Sequence, residues 1–268
     1  MKEKKKLKIV VITQQDQFVL PKNIALLVDS KIIDLRCCVL IADNNSLTNN
    51  RLYFVRGFGL VASIKMGLLM INYNLSDLLY KLTKLRCFRN KRSINTLCDE
   101  HRIPLLEVDD VNGNDLANRL EEFYPDVIVS FSAPTVFKNR LLNLPKYGCI
   151  NLHCSLIPKY CGVMPSFWAL LDGQSVTGCS VHTMDNRIDN GLLLAQEEVK
   201  IGSNDSMYSL IHETKAVGGD LMLSVLLELF EHGSFPDPIM VVESEREYFS
   251  WPNALDFKLF RKRGKTLI

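Results

Sequence analysis

Two runs dominated by β-branched and other apolar residues, Leu7–Thr13 and Asp126–Phe131, constrain the fold more than any other feature. Runs of this kind suit strands buried on both faces, which a parallel sheet covered by helices provides. The intervening pattern agrees. Pro21–Asp29 reads as a short helix with proline in its first turn, and Ile32–Ala42 holds a second strand. Phe58–Leu75, Ser76–Leu85 and Ile94–His101 look helical, Leu105–Val108 is a third strand, and a helix over Asn114–Tyr124 stops at Pro125. Strands alternating with helices predict an α/β fold, a mostly parallel sheet flanked by helices.

The second half is β-rich. Cys149–His153 and Cys179–Met184 read as strands, and Gly191–Ile201 as an edge strand leaving the core. A long helix from about Asp205 to His232 shows the apolar stripe Met207, Leu210, Val217, Leu221, Val225 and Leu229, with Gly233 at its stop. Gly218-Gly219 inside it implies either close packing or a break, because each glycine costs roughly 1 kcal/mol relative to alanine. The tail from Pro236 is expected to be extended and polar. The domain reading is a core over 1–202 with a helical insertion at about 47–100, then a helix and tail over 203–268 packed on it.

Charge and cysteines exclude several classes. The chain has 32 Lys and Arg against 30 Asp and Glu, a net charge of +2, so it carries no broad footprint for nucleic acid. The basic runs Lys2–Lys8 and Lys81–Arg92 read as solvated surface. Eight cysteines without a CxxC pair fit neither a disulfide scaffold nor a common zinc pattern, so no metal is expected. No signal peptide is evident, which points to the cytoplasm. Phe58–Leu75 is interrupted by Ser63, Lys65, Asn72 and Asn74, too polar for a membrane span. It is expected to be a buried or half-buried helix, the alternative being a helix lying on a membrane surface.

The chemistry concentrates in two stretches. In Asn151-Leu152-His153-Cys154-Ser155-Leu156-Ile157-Pro158, strand alternation projects Asn151 and His153 to one face, at the strand end where open α/β sheets bind ligands. In the second, Gly178 to Gly191, a strand runs into the turn Asp189-Asn190-Gly191, which could bring a carboxylate beside His153. Asparagine, histidine and a carboxylate suit acyl transfer to an amine. The histidine accepts or relays a proton, N–H groups stabilise the oxyanion, and the carboxylate orients the histidine.

The two stretches, "NLHCSLIPKYCG" and "GCSVHTMDNRIDNG", resemble the signature blocks of the 10-formyltetrahydrofolate-dependent formyltransferases. The likeness is clearest from about Asp126 to Ile201. It implies a Rossmann-like fold, 10-formyltetrahydrofolate as co-substrate, and Asn151, His153 and Asp189 as catalytic residues. It also implies that Ser130, Phe131 and Ser132, with Met184, Asp185 and Asn186, line the folate pocket mainly through backbone. Cys161 stands where the family usually has arginine or proline. Among acceptors, a nucleotide-linked amino-deoxysugar is expected. About 35 residues follow the long helix, too few for the C-terminal barrel of methionyl-tRNA enzymes, and glycinamide ribonucleotide enzymes are typically shorter. Tyr248–Pro252 resembles a C-terminal segment of sugar N-formyltransferases, and otherwise reads as an aromatic patch pinning the tail. A methionyl-tRNA formyltransferase, a formate-releasing hydrolase and an inactive folate- or sugar-binding relative are the alternatives. A homodimer is left open.

Overall fold

The computed structural model describes residues 5–16, 18–42 and 51–268; the start of the Lys2–Lys8 run and the first residues of the insertion lie outside them. The apolar runs become strands β1 (Leu7–Gln14), β2 (Ile33–Ile41), β3 (Leu105–Val108), β4 (Val127–Phe131) and β5 (Cys149–His153). A two-residue β6 (Cys161–Gly162) precedes the longer β7 (Val176–Thr183) and β8 (Leu193–Lys200), and β9 (Tyr248–Phe249) lies in the tail. Among the described residues seven strands form one sheet, in the order β3-β2-β1-β4-β5-β7-β8. The five from β3 to β5 run parallel, while β7 is antiparallel to both its neighbours.

Helices α1 (Leu20–Asp29), α2 (Arg51–Phe58), α3 (Leu60–Thr83) and α4 (Ile94–His101) fall in the first half. They are followed by α5 (Asn114–Glu121), α6 (Asn139–Leu142), α7 (Pro165–Asp172), α8 (Met207–His232) and α9 (Ala254–Lys262). Alternation divides the sheet into two faces. Ile9, Val11, Val129, Ile150 and Leu152 pack with α1, α4 and α8. Val10, Ile12, Val39, Ile128 and Cys149 pack on the other side with Leu116 and Leu120 of α5 and Leu141 of α6.

The glycine pair in α8 marks close packing, since the helix runs unbroken. A Cβ at Gly218 would lie 2.6 Å from both δ-carbons of Leu152, and one at Gly219 2.6 Å from Asn23 Oδ1. At Gly218 the helix lies against the sheet and at Gly219 against α1, so a larger residue at either position forces a neighbour to shift. Gly218→Val is therefore expected to destabilise the protein by about 1–3 kcal/mol, read from the urea midpoint.

Two expectations are corrected. The segment expected to be a buried or half-buried helix over Phe58–Leu75 belongs mainly to α3, a single long helix separated from α2 by Gly59 at a positive φ of 91°. Tyr73, Ser76 and Tyr80 are its buried side, and most of its leucines and isoleucines face solvent. The two tyrosines hold that side inward. Tyr80 donates to Glu100 Oε1 at 2.6 Å, and the Tyr73 ring meets Phe18 edge-on at 5.0 Å. The tail is also not wholly extended. Asn253 and Asp256 form a reciprocal capping box that starts α9, and Phe257 and Phe260 bury themselves on α7. The Phe260 and Phe167 rings stack with centroids 4.5 Å apart.

Candidate active site

The site is built where β5 passes between β4 and the antiparallel β7. Register sets Asn151 opposite Ser130 on one side and His182 on the other. Asn151 and His153 share a face at the end of β5. The turn after β7 delivers Asp189 to that face. It is organised by Asp185, whose Oδ1 accepts from Arg187 N at 2.8 Å and whose Oδ2 accepts from Asn190 Nδ2 at 2.6 Å. Asp189 itself adopts a left-handed φ of 46°. Gly191 closes the turn against β7, where a Cβ would fall 1.7 Å from Thr183 O.

The structure brings Asn151, His153 and Asp189 together and adds His182 to them. Asp189 Oδ2 lies 3.4 Å from His153 Nδ1 and accepts from Gly162 N at 2.7 Å; its Oδ1 lies 3.6 Å from His182 Nε2. Burial opposes ionisation of Asp189. His153, His182 and the Gly162 N–H outweigh it and hold this carboxyl well below the usual range.

Backbone carbonyls set the histidine tautomers. His153 Nε2 donates to Tyr160 O at 2.8 Å, so in the neutral ring Nδ1 is the bare nitrogen and faces Asp189. His182 Nδ1 donates to Thr183 O at 2.7 Å, so its Nε2 accepts from Asn151 Nδ2 at 3.2 Å. That bond fixes the Asn151 amide and leaves the second hydrogen of Nδ2 for a ligand.

The residues expected to line a folate pocket flank this cluster. Ser130 is fully buried, with its Oγ unpartnered, directly opposite Asn151 in register. Phe131 contributes backbone only, because its ring is buried with α1 and α8 and its carbonyl accepts from Thr13 Oγ1 at 2.7 Å. Ser132 follows in a left-handed conformation (φ 54°). On the β7 side, Met184 N donates to Cys149 O at 2.8 Å, Asp185 braces the turn, and Asn186 is exposed.

Two site residues escaped the sequence reading. His182 is not among the residues named from the sequence, and its register opposite Asn151 gives its place. Arg246 lay in the tail, far away in sequence. Its side chain is 5% exposed, and it donates to Asp189 O at 2.6 Å and Asn190 O at 3.2 Å. It also lies 4.0 Å from the sulfur of Cys161. A guanidinium from the tail therefore braces the aspartate turn, beside the position where an arginine was expected. The tail is held by pairing of β6 with β9 and by stacking of Phe249 on Tyr160 at 5.2 Å. Cys161 is a buried thiol, pushed up to about 11 by burial and by Asp189 despite nearby Arg246. Among the described residues no group of three His, Cys, Asp or Glu could hold a metal ion.

The chain is similar to several known proteins. Methionyl-tRNA formyltransferase of Geobacter metallireducens is 32% identical over 127 residues, 47% of this chain and 41% of that protein. The chain thus spans less than half the length of that curated relative. Among solved structures, phosphoribosylglycinamide formyltransferase from Bacillus halodurans superposes with a TM-score of 0.59 at 17% identity, covering 84% of this chain and 97% of that one. The N-formyltransferase from Helicobacter canadensis, solved with folinic acid and dTDP-3-aminofucose, superposes with a TM-score of 0.56 at 15% identity, covering 91% and 70%. These two likenesses establish the fold, the Rossmann-like α/β arrangement expected from the alternating runs. A family model for formyl transferases matches residues 86–226, more than half of the chain and the stretch holding Asn151, His153 and Asp189. With fold and matched segment in agreement, the chain belongs to the formyl transferase family.

Proposed function

We propose that this protein transfers the formyl group of 10-formyltetrahydrofolate to the amine of a nucleotide-linked amino-deoxysugar, in the cytoplasm. The observation that carries formyl transfer is the convergence of Asn151, His153 and Asp189 at one strand end. The folate fits beside them: Ser130 Oγ is a buried group without a protein partner, which a hydrogen-bonding ligand would satisfy. Support for the sugar acceptor comes from the fold shared with the Helicobacter canadensis enzyme, which was solved with a nucleotide amino sugar.

The geometry supports the following roles. As an amine attacks the formyl carbon, negative charge develops on its oxygen, and the remaining Asn151 N–H is the donor available to it. The amine must lose a proton. His153 Nδ1 is a bare nitrogen that can take it, Asp189, held ionised, would pair with the resulting imidazolium, and the proton would pass on to the tetrahydrofolate nitrogen as its bond to the formyl carbon breaks. His182 orients Asn151, and Arg246 holds the backbone of the Asp189 turn. Arg246→Met is expected to lower kcat by roughly tenfold, less than removal of a reacting group, because it acts through Asp189. A steady-state comparison with wild type checks this.

The methionyl-tRNA relatives make charged initiator tRNA the second acceptor to test. Incubation of the protein and 10-formyltetrahydrofolate with a panel of nucleotide-linked 3- and 4-amino-deoxysugars, followed by mass spectrometry, is expected to yield a formylated sugar. Turnover on charged tRNA with none on any amino sugar would reject the acceptor and keep formyl transfer.

A further inference from the structure

Helix α3 turns its polar-partnered side inward and its leucine stripe outward. Opposite the buried Tyr73, Ser76 and Tyr80, the residues Ile64, Leu68, Ile71, Leu75, Leu78 and Leu82 recur every three or four positions. They are 51–73% exposed. Single exposed leucines are ordinary, but a continuous apolar stripe of this length marks an interaction surface. No helix among the described residues is long and apolar enough to cross a membrane.

The charge around the stripe identifies what it meets. Residues 51–92 hold nine Lys and Arg and one acidic residue, Asp77, so this segment is +8 in a chain of +2. Lys65 and Lys81 flank the stripe, and the helix runs directly into the turn Arg86–Lys91, with Arg86 and Arg89 exposed. A second copy of the chain would bring +8 against +8. An RNA would be met along α3 by leucine and isoleucine, which offer no hydrogen-bond donors. An anionic lipid surface satisfies both features at once, with apolar side chains entering the acyl boundary and cationic ones meeting the headgroups.

We propose that α3 and the basic turn after it seat the protein on an anionic lipid surface, leaving the candidate active site in the aqueous phase. This inference does not depend on which amine is formylated. The test is co-sedimentation of the whole protein with vesicles of phosphatidylcholine alone, or of phosphatidylcholine with phosphatidylglycerol. Binding is expected only to the phosphatidylglycerol vesicles, and weakens as salt is added. Leu68→Glu with Leu75→Glu, and separately Arg86→Glu with Arg89→Glu, are each expected to raise the lipid concentration for half-maximal binding by at least ~10-fold. These side chains are exposed, so the unfolding midpoint should not move. Absence of binding, equal binding to both vesicle types, or unchanged binding by either pair of substitutions overturns the proposal. Wild type that ignores vesicles but sediments as a dimer, dissociated by the leucine substitutions, assigns the stripe to a second copy. Wild type that ignores vesicles but binds tRNA, with loss only in the arginine pair, assigns the turn to RNA.

Discussion

Replacing Lys215 by methionine is expected to cost about 3–5 kcal/mol, because it leaves the carboxylate of Asp16 buried without its partner. Lys215 Nζ lies 2.6 Å from Asp16 Oδ2, and both side chains are 12% exposed. Burial raises the Asp16 carboxyl, but Lys215 and the N–H groups of Val19 and Phe18 outweigh it and hold it below the ordinary value. For Lys215, burial disfavours the ammonium and Asp16 more than compensates, raising it. Asp16 thus ties the end of β1 and the start of α1 to α8, which also packs its Gly218 on Leu152, between Asn151 and His153.

The pH dependence follows from those directions. A carboxyl depressed below its unfolded value of about 3.9 contributes stability that is present above that pH and lost as pH falls through the folded value. Lys215, raised above about 10.4, contributes stability that is present below that pH and lost as pH rises through its folded value. Without Lys215, burial is opposed by the N–H groups of Val19 and Phe18 but no longer by an ammonium, so Asp16 takes up a proton at a higher pH than in wild type. The deficit of Lys215→Met should therefore shrink as pH is lowered toward 4. Urea midpoints of both proteins over a pH series read this directly. A deficit below ~1 kcal/mol, or one constant with pH, would remove the buried pair from the account.

The second large effect concerns turnover. His153→Ala and Asp189→Asn are each expected to reduce kcat by at least ~10². Asparagine at 189 keeps the shape and can still accept from Gly162 N, but it lacks the charge that would pair with His153. A loss confined to KM would point to binding rather than proton transfer. His153→Ala also removes one of the two donors to Tyr160 O, leaving Ser155 Oγ at 3.3 Å, so its rate is compared well below its unfolding temperature. Near-wild-type kcat in either variant removes that residue from the mechanism.

The sheet was largely legible from the sequence. Val127–Phe131 and Cys149–His153 are apolar enough to require burial, and the family-like blocks placed Asn151, His153 and Asp189 within reach of one another. What the sequence hid was tertiary in origin. His182 lies on a strand whose partner is fixed only by register, so its position opposite Asn151 could not be read from spacing. Arg246 reaches Asp189 because β9 pairs with β6, across 57 residues of chain. The tail helix was in principle readable, since Asn253 and Asp256 have capping-box spacing and Phe257 and Phe260 follow at helical intervals. For α3 the pattern reads as a buried or half-buried helix, and what it does not tell is that the Tyr73, Ser76 and Tyr80 side turns inward while the leucine stripe faces out.

The most direct test of the central claim is release of tetrahydrofolate from 10-formyltetrahydrofolate by the purified chain, measured with and without each nucleotide amino sugar. The account predicts release that depends on one such sugar, matches formylated product one for one, and falls at least ~10² in Asp189→Asn. Release that ignores the acceptor, or survives unchanged in Asp189→Asn, would contradict it.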